Sequence, residues 1–221
     1  MLELVPARPE GRPLRLLFVG AHSDDIEIGC AGTVVELLRR HRDARVRWVV
    51  LSSEGGRDAE ARRAARSLLR GLPEPEVQVE DFRGAYFPSQ IAEIKDVFER
   101  LKQGPAPDLV FTHFRDDLHQ DHRVVAELTW NTFRDHLILE YEIPKYDGGL
   151  GSPSVFVPLP AAAVRRKVDL LMRVFASQHD KAWFTRETFL GLMRLRGIEC
   201  NAPSGYAEAF YGRKLVLGRR A

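Results

Sequence analysis

Leu14-Arg15-Leu16-Leu17-Phe18-Val19-Gly20-Ala21-His22-Ser23-Asp24-Asp25 joins an apolar run to a histidine and two adjacent acids. Its apolar run is far too short to span a bilayer and reads as a buried strand. Residues 29–40 follow with Val34, Val35, Leu37 and Leu38 on one helical face and Arg39 and Arg40 in the last turn. The alternation then repeats. Residues 46–51 read as a strand, 57–69 as a helix stopped by Gly71, and 77–82 as a weaker strand. A helix over 91–101 with Ser89 as its cap, a buried strand at 109–112 and a helix over 121–134 come next. Strands at 137–143 and 155–159, helices at 161–175 and 186–196, and a last strand at 209–217 complete the pattern. Strands alternating with helices predict an α/β fold: a Rossmann-like, mostly parallel sheet flanked by helices, with additional C-terminal strands and helices.

Composition narrows the function classes. The chain has 221 residues, is 44% apolar and carries a net charge of +2. That apolar fraction supports a substantial core. Arginines are interleaved with acids and form no basic block with aromatics, which argues against nucleic acid as a partner. Residues 1–13 hold Arg8 and Arg12 among prolines without an apolar core. They read as an N-terminal extension rather than a signal peptide, ahead of a single domain over 14–221. Cys30 and Cys200 are isolated thiols, which suits a reduced, cytoplasmic chain without membrane association.

Two clusters carry the chemistry. Ala21-His22-Ser23-Asp24-Asp25 follows the first strand, and His113-Phe114-Arg115-Asp116-Asp117-Leu118-His119-Gln120-Asp121-His122 follows another. The carboxyl ends of parallel strands are where open α/β sheets build their sites. His119 and His122 stand three apart near a helix start, which places them on one face. Two histidines and a carboxylate form a known catalytic zinc set, and other divalent ions such as Fe2+ fit the same donors. A lone Asp-Asp pair after a strand otherwise reads as a helix cap, and a lone His pair as exposed helix-start residues.

Ala21-His22-Ser23-Asp24-Asp25 and His119-Gln120-Asp121-His122 together resemble the two signatures of the PIG-L/LmbE-like zinc-dependent N-deacetylases, over about residues 14–134. The resemblance implies zinc held by His22, Asp25 and His122, with Asp24 as general base for the water on the metal. It implies His119 as the group that stabilises the oxyanion or protonates the leaving amine, with Asp121 orienting its ring. Ser23 replaces the family's usual proline. Ile26 stands where many members have Glu, and Glu27 follows it. The implied activity is removal of an N-acetyl or other short N-acyl group from an amino sugar, such as N-acetylglucosamine, or its conjugate. A homo-oligomer is implied on the same ground.

Other readings attach to single residues. Arg83, beside Gly84, and His113 and Asp116 are candidate substrate contacts. His113 reads equally as a strand end, and Asp116 and Asp117 as acids that solvate the loop. Glu54 sits in a turn on the same sheet edge, where it is a candidate supporting residue. His41, His136 and His179 read as surface or core residues, and Gly148, Gly149, Gly151 and Pro153 mark a loop near the site. The competing functions are a methyltransferase-like Rossmann-type binding domain and a non-catalytic member of the same fold. Gly20-Ala21-His22-Ser23-Asp24 lacks the glycine spacing of a dinucleotide loop, which disfavours the first.

Overall fold

The structure, a computed structural model, describes Glu3 and residues 11–216. Most of the expected extension over 1–13, and Leu217 of the expected last strand, lie outside the described residues. One seven-stranded sheet runs through the rest: β1 (Arg15–Gly20), β2 (Arg45–Val50), β3 (Glu76–Val79), β4 (Leu109–His113), β5 (Leu137–Tyr141), β6 (Val155–Pro158) and β7 (Ala207–Gly212). Their order across the sheet is β3-β2-β1-β4-β5-β7-β6. The first five are parallel, while β7 runs antiparallel to β5 and to β6. The helices are α1 (Asp25–Arg40), α2 (Asp58–Leu68), α3 (Ile91–Gln103), α4 (Gln120–Thr132), α5 (Ala161–Val174) and α6 (Arg186–Glu199).

β1 is apolar from Leu16 to Val19 because both faces are covered. Leu16 and Phe18 enter a core shared with α1, α2 and α5, whereas Leu17 and Val19 enter a second core under α3 and α4. Phe18 stacks on Phe111 of β4, ring centroids 4.7 Å apart. The chain winds outward from β1 through β2 to β3, then crosses back to place β4 on the other side of β1. Strand order reverses between β1 and β4, and the crevice at their carboxyl ends is the expected ligand position.

Helix α1 starts at Asp25, earlier than residue 29, because the turn after β1 feeds directly into helical backbone. It breaks at Cys30 (φ −148°, ψ 18°). A buried ion pair fills the break. The Glu208 carboxylate accepts from Gly32 N–H (2.9 Å) and Thr33 N–H (2.6 Å), two donors that the interrupted ladder leaves free. Lys167 bonds Glu208 at 2.6 Å and donates to the Ile28 carbonyl, also at 2.6 Å. The first turn of α1 is thereby held from β7 and α5.

Gly29 lies in that turn. A Cβ there would come within 2.5 Å of Tyr141 Cγ, and Tyr141 is itself fixed by donating to the Val19 carbonyl at 2.7 Å. Gly29→Ala overpacks this contact and should destabilise the protein by about 1–3 kcal/mol in urea unfolding. An unchanged midpoint would show that α1 can move away from β5.

Candidate active site

The turn after β1 is tight because Asp25 Oδ2 accepts the His22 N–H at 2.6 Å. Buried Ser23, where the resembled signature has proline, ties the turn to the segment after β2 by donating to the Ser52 carbonyl at 3.3 Å. Across the crevice, the segment after β4 folds onto Asp117. That buried carboxylate accepts His119 N–H at 2.7 Å and His122 Nδ1–H at 3.0 Å. It also lies 2.8 Å through each oxygen from Lys145 Nζ.

These contacts bring three donor atoms together. His22 Nδ1 is 3.2 Å from Asp25 Oδ2, His122 Nε2 is 3.3 Å from His22 Nδ1, and His122 Nε2 is 3.5 Å from Asp25 Oδ1. The far nitrogen of each ring faces a carboxylate, His22 Nε2 on Asp121 (3.0 Å) and His122 Nδ1 on Asp117. Those nitrogens carry protons, so the inner pair, once His22 gives up its second proton, can offer lone pairs to an ion shared with Asp25. Tetrahedral zinc with ligands at 2.0–2.1 Å spans edges of about 3.3 Å. The donor set fits a divalent metal in both spacing and chemistry.

Electrostatics agree with that fit. Burial opposes the Asp25 carboxylate, yet His122, His113 and His22 hold it well below the usual range. Burial and neighbouring His113 push His122 down to about 3 against the pull of Asp25 and Asp117, which keeps it neutral as a ligand must be. His22 goes the other way: Asp25 and Asp121 outweigh burial and raise it to about 10.

A family model described as PIG-L, GlcNAc-PI de-N-acetylase, matches residues 17–133, more than half of the chain. The chain belongs to the PIG-L family. Three solved structures share its fold. A conserved protein of Thermus thermophilus, TT1542, is 22% identical with a TM-score of 0.70, covering 94% of this chain and 100% of that one. GalB, the 4-carboxy-2-hydroxymuconate hydratase of Pseudomonas putida KT2440, is 17% identical with a TM-score of 0.68, covering 94% and 99%. The N,N'-diacetylchitobiose deacetylase of Pyrococcus horikoshii is 18% identical with a TM-score of 0.62, covering 90% and 83%. Among the described residues, no helix is long and apolar enough to cross a membrane.

In this PIG-L chain, Asp24 is buried beside Asp25, and its Oδ1 meets Arg57 at 2.7 Å. His119 caps α4: its Nδ1 accepts the Asp121 N–H at 3.2 Å, which leaves the proton on Nε2. Burial, then His22, lower its basicity, so the neutral ring is favoured over a protonated one. Asp121 therefore orients His119 through its backbone. Its carboxylate, contrary to expectation, serves His22 and accepts Ala85 N–H (2.5 Å) and Phe87 N–H (3.1 Å). Ala85 reaches that position with a left-handed φ of 63°.

Each of the expected substrate contacts already has a partner within the fold. His113 is fully buried with Nε2 accepting Ala21 N–H at 2.9 Å, and it stacks under His122 at 3.9 Å. It supports the cluster from below and has no surface for a substrate. Asp116 points outward to Arg213 at 3.5 Å. Exposed Arg83 lies over the Tyr86 ring at 3.6 Å, in the loop that carries Ala85. Glu54 holds that loop by accepting Gly84 N–H at 2.9 Å. Asp117, read as a loop-solvating acid, is buried and bonded to both histidines of its segment. Arg57 and Lys145 had no sequence signal, since each meets its partner only across the fold. Glu27 is buried with neither carboxylate oxygen partnered, and burial pushes it well above the usual range.

The directions at His22 and His122 set a proton count. Below about pH 10, His22 keeps a proton that a metal at Nδ1 must displace, while His122 has none to lose above about pH 3. Zinc binding to chelator-treated protein at pH 6 should release about one proton, and apparent affinity should rise about tenfold per pH unit. Calorimetry in buffers of different ionisation enthalpy measures this. Release of none or of two contradicts the assignment.

Proposed function

We propose that this protein is a metal-dependent N-deacetylase that releases acetate, or another short acid, from an N-acylated amino sugar or its conjugate. The convergence of His22 Nδ1, His122 Nε2 and the Asp25 carboxylate at the sheet's switch point carries this reading. The family match supports amide hydrolysis, and both its description and that of the Pyrococcus horikoshii neighbour favour an amino-sugar substrate. A nucleotide-type binding domain leaves three inward-facing donors without a purpose.

His22, Asp25 and His122 would hold the ion, with zinc the first choice and Fe2+ compatible with the same donors. The metal, when bound, supplies Lewis acidity toward the acyl carbonyl and toward water. Asp24 acts as general base: Arg57 fixes it through one oxygen, and the other takes the proton of the attacking water. As the water oxygen bonds to the acyl carbon, charge grows on the carbonyl oxygen. His119 Nε2–H, which carries the ring proton because Nδ1 accepts at the helix cap, donates to that oxygen. Asp24 then passes its proton to the amine as the C–N bond breaks, giving acid and free amine. Arg83 and Tyr86, packed on each other in the loop that carries Ala85, would meet the sugar.

Zinc-loaded protein should release acetate from members of an N-acetylated amino-sugar panel. Asp24→Asn should keep its zinc and lose about 10²–10⁴-fold in kcat. Asp25→Asn should instead lose zinc, with part of the activity returning at excess metal. Product analysis that finds water added without amide cleavage, or a metal-poor Asp24→Asn beside a metal-replete Asp25→Asn, overturns the assignment.

A further inference from the structure

Lys145 takes no part in the chemistry above, yet its ammonium is held where few lysines are. It opens the loop after β5, its side chain is 8% exposed, and Nζ lies 2.8 Å from both oxygens of Asp117. Asp117 passes this contact on to His122 Nδ1 (3.0 Å), the ring whose Nε2 belongs to the donor cluster. The far end of the loop is anchored as well. Gly151 N–H donates to the Tyr211 hydroxyl (2.9 Å), and the Gly151 carbonyl accepts from Arg196 (3.0 Å).

We propose that Lys145 is a positioning residue for the metal centre, acting through Asp117 on His122; this rests on the reading of His22, Asp25 and His122 as ligands. A neutral imidazole can carry its proton on either nitrogen, and only the Nδ1–H form of His122 presents a lone pair to a metal. Asp117 selects that form as long as its carboxylate faces the ring. A buried carboxylate without a counter-charge turns toward water. Lys145 holds it in place with two charge-assisted hydrogen bonds, and the anchored loop keeps Lys145 there.

Charge and position make opposite demands here. Removing a cation near a divalent metal should tighten metal binding by Coulomb's law alone. Loss of the restraint on His122 should weaken it, and partners of this kind are worth about 10–100-fold in affinity. The sign of the change therefore separates the two effects.

Zinc affinity is measured by competition with a chromophoric chelator for the full-length protein and for Lys145→Met, Lys145→Arg, Asp117→Asn and the Asp117→Asn/Lys145→Met double variant. Thermal unfolding after chelation confirms the fold of each, and Lys145→Gln replaces the Met variant if that one does not fold. Lys145→Met should bind zinc about 10–100-fold more weakly, Lys145→Arg should restore most of the loss, and the double variant should be no weaker than Asp117→Asn alone. Unchanged or tighter binding by Lys145→Met, or losses that add in the double variant, overturns the proposal. A native protein that binds no zinc overturns the ligand set instead.

Discussion

Two imidazole nitrogens and a carboxylate lie within 3.5 Å of one another in a largely buried crevice. In a low-dielectric interior such a cluster is unfavourable unless positive charge sits among the donors. A proton on His22 meets that need in part, and a divalent metal meets it fully. The surroundings are arranged around this demand: carboxylates face the outer nitrogens, backbone amides fill the remaining positions on Asp121, and Lys145 and Arg57 balance Asp117 and Asp24.

Holding these buried polar groups in register requires a rigid frame. β1 and β4 supply it, since both lie inside the sheet and their carboxyl ends open on the point where strand order reverses. The break in α1 adds a second constraint. Glu208 and Lys167 satisfy the backbone groups freed at Cys30, so the turn bearing Asp25 is fixed from the C-terminal third of the chain. The C-terminal elements thus contribute to the site although no expected ligand lies on them.

The sheet was legible because doubly buried parallel strands are continuous apolar runs, and residues 14–19 and 109–112 are of that kind. The donor set was legible because its members sit within a few residues of two strand ends. Partners joined across the fold were not. Nothing in the order of residues distinguishes Asp117, buried under two histidines, from Asp116, which faces Arg213 at the surface. The backbone direction at each position decides the difference. His113 was ambiguous for the same reason, because strand register alone turns its ring beneath His122. The Asp121 carboxylate was assigned to nearby His119, but it reaches His22, which is 99 residues away in the chain.

Anomalous diffraction at the zinc edge from crystals of the zinc-loaded protein locates the bound metal. The expected peak lies about 2.0–2.2 Å from His22 Nδ1, an Asp25 oxygen and His122 Nε2. His22, His119 and Asp121 form another cluster of compatible spacing on the opposite side of the His22 ring. A peak there, with His122 unligated, would contradict the expected ligand set.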